Sequence, residues 1–104
     1  MADPAAGEHT PRVDAHAHIF TRAMGFAPDA HSRPDYDYPV AQYLADLDAH
    51  GISHGVIAAA SLFGDNNHYT LAALDAHARL RATVILQPET DAATLRALAD
   101  RGVV

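Results

Sequence analysis

The stretch Val13-Asp14-Ala15-His16-Ala17-His18-Ile19-Phe20 decides the fold. Its alternation has the period of a β-strand, which puts Asp14, His16 and His18 on one face and Ala15, Ala17 and Ile19 on the other. Histidines at i and i+2 on one strand face lie roughly 6–7 Å apart at Cα, near enough for both rings to converge on one metal ion or one substrate oxygen. Neutral imidazole is a zinc ligand and also a general base near neutral pH, and a catalytic metal lowers the pKa of its bound water to about 7. Either use suits hydrolysis. Asp14, one layer deeper on the same face, is placed to orient a histidine through a ring N–H. The competing reading, two ordinary half-buried strand histidines, accounts less well for a pair on the inner face of an otherwise apolar segment.

Working outward, residues 1–12 carry proline, glycine and small residues without periodicity and read as a mobile leader, leaving 13–104 as the domain. After the strand comes a long connection from Thr21 to Tyr38, with Gly25, Pro28 and Pro34. It is longer than most loops in a compact domain, so it is expected to be functional and to fold over a site. Pro39 suits the first position of a helix in which Val40, Tyr43, Leu44 and Leu47 recur at helical spacing until Gly51 stops it. Gly55–Ser61 is apolar on both faces, as in a covered parallel strand, with Ser61 at its polar end. Asp65, Asn66 or Asn67 caps a second helix carrying Leu71, Leu74 and Ala78, and Ala82–Gln87 reads as a third strand closed by Pro88. Thr90 or Asp91 caps a third helix with Leu95, Leu98 and Ala99 facing inward; Gly102 ends it, and Val103-Val104 opens another strand.

Strand and helix alternate three times, which demands a parallel sheet with right-handed crossovers. Three βα units cannot close a barrel, and a complete eight-fold one takes about 250 residues. The expected fold is therefore α/β: the N-terminal three βα units of an incomplete TIM (β/α)8 barrel, within a chain that reads as a piece of a longer one.

Composition narrows the chemistry. The 104 residues are 49% apolar, enough for one small core, and contain no cysteine, so any metal must be held by imidazole and carboxylate. A net charge of −6 argues against a nucleic-acid partner, and no apolar run approaches membrane-spanning length or resembles a signal peptide. A cytoplasmic protein with a small-molecule partner is expected. Of eight histidines, His9, His31, His50, His54, His68 and His77 fall in the leader, loops or polar helix positions and read as solvated. His68, Ser61 and the polar loop Gly64-Asp65-Asn66-Asn67 lie where active-site loops gather in this architecture, and there the choice is between binding an anionic group and simple helix capping.

The histidine strand resembles the first-strand signature of the amidohydrolase superfamily, in its amidohydrolase-2 branch. Ser61-Leu62-Phe63-Gly64-Asp65-Asn66-Asn67 is similar, without gaps, to the Ser-x-x-Gly-Thr-Asp-Asn stretch of the pyrone-dicarboxylate lactonase type, and the similarity runs from Val13 to Val104. The resemblance implies a hydrolase that opens a lactone or related carboxylated ring compound with water as nucleophile. It makes His16 and His18 the catalytic histidines. Ser61 and Asn67 match substrate-binding positions, and Tyr38 or Tyr36 in the first loop matches another. Asp65-Asn66-Asn67 departs from Thr-Asp-Asn by moving the acid one place, so only Asn67 matches cleanly. The family's further histidine, carboxylate-gripping arginines and late aspartate match nothing within these residues, which implies an inactive piece when alone. Relatives divide on metal. Decarboxylases of the branch, the alternative activity, use His-x-His to hold zinc or manganese, whereas the lactonase type works without a metal. His16 and His18 are the metal ligands if one is used, and two donors alone imply weak or no binding. A further alternative is a non-catalytic truncated product.

Overall fold

The computed structural model describes residues 10–104; His9 and most of the proposed leader lie outside them. Three strands, β1 (Val13–Ala17), β2 (His54–Ile57) and β3 (Leu80–Ala82), form a parallel sheet in the order β1-β2-β3. They alternate with three helices, α1 (Val40–Ala49), α2 (His68–Ala76) and α3 (Ala92–Asp100). This is the expected run of three βα units. A parallel bridge between Ala82 and Val103 begins a third pairing, where a fourth strand would lie.

The core lies between the sheet and the first two helices. Ile57 and Leu80 are fully buried, with Tyr43 and Leu47 of α1 and Ala73 and Leu74 of α2 packed around them. Helix α1 forms where its apolar spacing predicts, except that Pro39 is the N-cap and not the first helical residue. Tyr69 of α2 supplies the missing partner at that end, its hydroxyl accepting from Val40 N at 2.9 Å. Gly51 takes a positive φ of 67° just past the end of α1, a conformation that glycine adopts without strain.

Four expectations need correction. Arg12, assigned to the leader, is tied to the start of β2: its N–H donates to Ser53 Oγ at 2.9 Å, and its carbonyl accepts from His54 N at 3.0 Å. The second strand ends at Ile57, and Ser61 opens a 3-10 turn (Ser61–Phe63). The third strand is Leu80–Ala82, earlier than the apolar run Ala82–Gln87, because Leu80 and Ala82 are the residues that reach the core. Helix α3 buries no residue: Leu95 is 47% exposed and Ala99 is also exposed. Its N-terminus is built as expected, with Asp91 Oδ1 accepting from Thr94 N at 2.8 Å. Among the described residues no helix is long and apolar enough to cross a membrane.

Candidate active site

The chemistry-bearing residues gather where the strands end. Asp14 pairs with Gly55 and Ala17 with Ile57, so Ala15 and His16 together face the single residue Val56. This is a β-bulge, and it breaks the alternation read from the sequence. Asp14 sits on the helix side, where it accepts a hydrogen bond from the buried Tyr43 hydroxyl at 2.9 Å. Ala17 also packs against the core, while Ala15, His16 and His18 are exposed on the opposite face. Asp14 therefore does not share a face with the histidines, and its orienting partner is a tyrosine.

His16 and His18 are brought together, with ring centroids 5.1 Å apart in an edge-to-face arrangement. His18 Nδ1 lies 2.7 Å from the carbonyl oxygen of Ala58. A carbonyl only accepts, so Nδ1 carries the proton, and in the neutral ring Nε2 keeps its lone pair for a proton or a ligand. Ala58 is fixed in turn by its own N–H, which donates to Ala17 O at 2.7 Å. The ring that points outward is thus anchored to two strands at once.

The loops after β2 and β3 brace each other. Asn67 uses both atoms of its amide on Ile85, donating to Ile85 O at 2.8 Å and accepting from Ile85 N at 3.3 Å. Gln87 donates to Asp65 at 3.0 Å across the same gap, and Thr83 Oγ1 accepts from Ala59 N at 3.3 Å. Asn66, one residue before the N-cap Asn67, accepts from His68 N at 3.4 Å and donates to Met24 O at 3.2 Å, so it ties the first loop to the start of α2. Ser61 is exposed at the start of the 3-10 turn that follows β2.

The long connection folds over this end of the sheet. Phe20 and Tyr38 exchange both backbone hydrogen bonds at 2.9 Å, and Arg22 donates to Asp37 from its backbone N–H at 2.8 Å and from Nε at 3.1 Å, which together hold the Asp37 carboxyl below the usual carboxylate range. Farther along, Phe26 stacks on Phe63 at 5.3 Å, and Ala27 N donates to Leu62 O at 2.7 Å. Ile19, Met24, Phe63 and Thr70 line a narrow pocket beneath it.

Two residues expected to touch substrate have partners within the fold. The Tyr38 hydroxyl donates to Asp46 on α1; burial, reinforced by that carboxylate, raises its pKa to about 12. Asn67 has both amide atoms engaged by Ile85 and works as a loop clamp. Tyr36, the other tyrosine of that loop, is exposed and lies edge-on to Phe20 at 5.4 Å. The sequence reading missed Thr83, whose hydroxyl within the otherwise apolar run from Ala82 to Leu86 was the available signal. It also missed Tyr43, which its helical spacing marked only as core. Among the described residues no group of three or more histidines and carboxylates is placed to share a metal ion. His16 and His18 thus supply two donors where a catalytic zinc site takes three from protein.

Residues 13–104 match the amidohydrolase family model. The chain belongs to that family. Among solved structures, a Pseudomonas putida protein assigned as a 2-pyrone-4,6-dicarboxylic acid hydrolase is 41% identical, with a TM-score of 0.80 over 91% of this chain and 35% of its own. An Acinetobacter baumannii protein with the same assignment, solved with citric acid bound, is 32% identical with a TM-score of 0.86 over 89% of this chain and 35% of its own. An Agrobacterium tumefaciens structure at 23% identity and a TM-score of 0.76 shares the fold, over 90% of this chain and 36% of its own. No curated protein matches. This amidohydrolase chain therefore spans about a third of the length of the structures it resembles, as a partial TIM barrel.

Proposed function

We propose that this chain is the N-terminal part of a hydrolase that opens a lactone or related carboxylated ring compound, with His16 and His18 as its reacting pair. The observation that carries the reading is the Nδ1 anchor of His18 on Ala58, which in the neutral ring leaves the Nε2 lone pair free, next to the second imidazole. Such a ring takes a proton from water as the water oxygen adds to the lactone carbonyl. The ring C–O bond then breaks, and the proton passes to the departing oxygen, leaving a carboxylic acid and a hydroxyl. Ser61, exposed in the turn that follows β2, is the substrate contact this segment offers. Two relatives assigned to pyrone-dicarboxylate hydrolysis, one holding a tricarboxylate, support a carboxylated substrate. The residues that complete the site belong to the remaining two-thirds of such a barrel, so the 104-residue chain alone is expected to be inactive.

A chimera tests this. Residues 13–104 would replace the equivalent part of the Pseudomonas putida protein, and hydrolysis of 2-pyrone-4,6-dicarboxylate would be followed with and without chelator. Turnover that His16→Ala and His18→Ala abolish supports the reading. A folded chimera that releases carbon dioxide from a carboxylated substrate in place of opening the ring overturns it.

A further inference from the structure

On an unbroken strand Asp14, His16 and His18 would share one side. Asp14 is on the helix side, so in a regular β1 both histidines would follow it toward the core formed by Tyr43, Leu47 and Ile57. They are instead exposed, because Ala15 and His16 take up one place in the register between them. A bulge is an extra residue held by what flanks it. On its far side Ala17 is fixed by core packing and by the bond from Ala58 N. On its near side the side-chain tether is the bond from Tyr43 to Asp14. Gly55, the residue paired with Asp14, makes room for that tether: a Cβ there would fall 2.8 Å from Tyr43 Cζ.

We propose that Tyr43 is a positioning residue for the histidine pair: by holding Asp14 on the helix side it locks the bulge that turns His16 and His18 together onto the open face. The inference rests on the reading of that pair as the reacting groups, but its test uses no activity, so the two ideas fail separately. In a strand free to slip, one register step exchanges the faces of every side chain beyond it. Tyr43 thus acts through Asp14 and need not touch substrate.

The test is side-chain and amide NMR on the 104-residue chain, reading the His18 ring nitrogens and the exchange of the Ala58 amide. In the unaltered chain His18 shows the Nδ1–H tautomer. Tyr43→Phe and Asp14→Ala, which remove donor and acceptor in turn, should both mix the tautomers and speed Ala58 exchange roughly tenfold, the order expected for loss of one hydrogen bond. Asp14→Asn keeps an acceptor oxygen and should retain the original spectrum. Folded Tyr43→Phe and Asp14→Ala proteins with an unchanged His18 tautomer and Ala58 exchange would overturn the proposal, as would Asp14→Asn behaving like Asp14→Ala. If Tyr43→Phe does not fold, Asp14→Ala decides, since it leaves the tyrosine ring in the core. Unfolding of both, with Asp14→Asn intact, would make the contact a stability determinant and equally overturn the register role.

Discussion

The ring of His18 bonds the carbonyl of Ala58 at 2.7 Å, just beyond the point where β1 and β2 stop pairing. A side chain thus extends the contact between the two strands, and the tautomer of that side chain is set by it. Anchor and chemistry can be separated. His18→Asn places an amide N–H where Nδ1 stands and provides no counterpart of Nε2. In the chimeric enzyme kcat should fall by about 10²–10⁴, the usual contribution of a general base, with the thermal midpoint nearly unchanged. Steady-state kinetics and calorimetry on the same sample check both halves.

Asn67 is expected to matter for stability before it matters for substrate. Asn67→Ala leaves the N–H and C=O of Ile85 without partners in a partly buried position. Each unmet group costs about 1–3 kcal/mol, so urea denaturation should show a loss in that range or somewhat above it. Ser61→Ala, at an exposed position, should stay within about 0.5 kcal/mol and serves as the control.

Gly55→Ala should destabilise although glycine within a strand is ordinarily a weakness. The added methyl overlaps the Tyr43 ring, and overpacking of this kind costs about 1–3 kcal/mol. Gly55→Ala combined with Tyr43→Leu, which removes the ring, should recover part of the loss; denaturation of the two single variants and the double variant measures the coupling.

Alkaline pH provides a further check. Burial, followed by the bonds to Asp46 and Asp14, raises the pKa of Tyr38 to about 12 and moves that of Tyr43 in the same direction. An unfolded tyrosine titrates near pH 10. The folded chain therefore holds these protons more tightly than the unfolded chain, and their stabilisation is fully present below about pH 10 and lost as pH rises toward about 12. Denaturation midpoints should be level near pH 9 and fall above pH 10, and Tyr43→Phe should show a shallower fall.

How much of this was legible in the sequence depended on whether a residue's neighbours were local. Val40, Tyr43, Leu44 and Leu47 declare α1 by spacing alone, and Gly51 and Gly102 mark helix ends at the positive φ they adopt. Asp91 reads as a cap and acts as one. The third strand was hidden because Leu80 and Ala82 alternate with Arg79 and Arg81, which look like the end of a helix. Arg79 in fact reaches back to the carbonyls of Ile52 and Ser53 at 2.9 Å. The face of Asp14 was illegible, since a bulge depends on a tyrosine 29 residues away. The partner of Tyr38 was unread for another reason: Asp46 lies eight residues on, and only the phase of α1 turns it back toward the tyrosine.

The paired backbones of Phe20 and Tyr38, with Arg22 and Asp37 just inside them, bring the two ends of the long first connection side by side. A segment closed at its neck in this way is a replaceable cassette. Doubling its length would add only about 0.6 kcal/mol of closure entropy, and neither β1 nor α1 would have to move. Selection can therefore rewrite what covers this end of the sheet while the two imidazoles stay where they are.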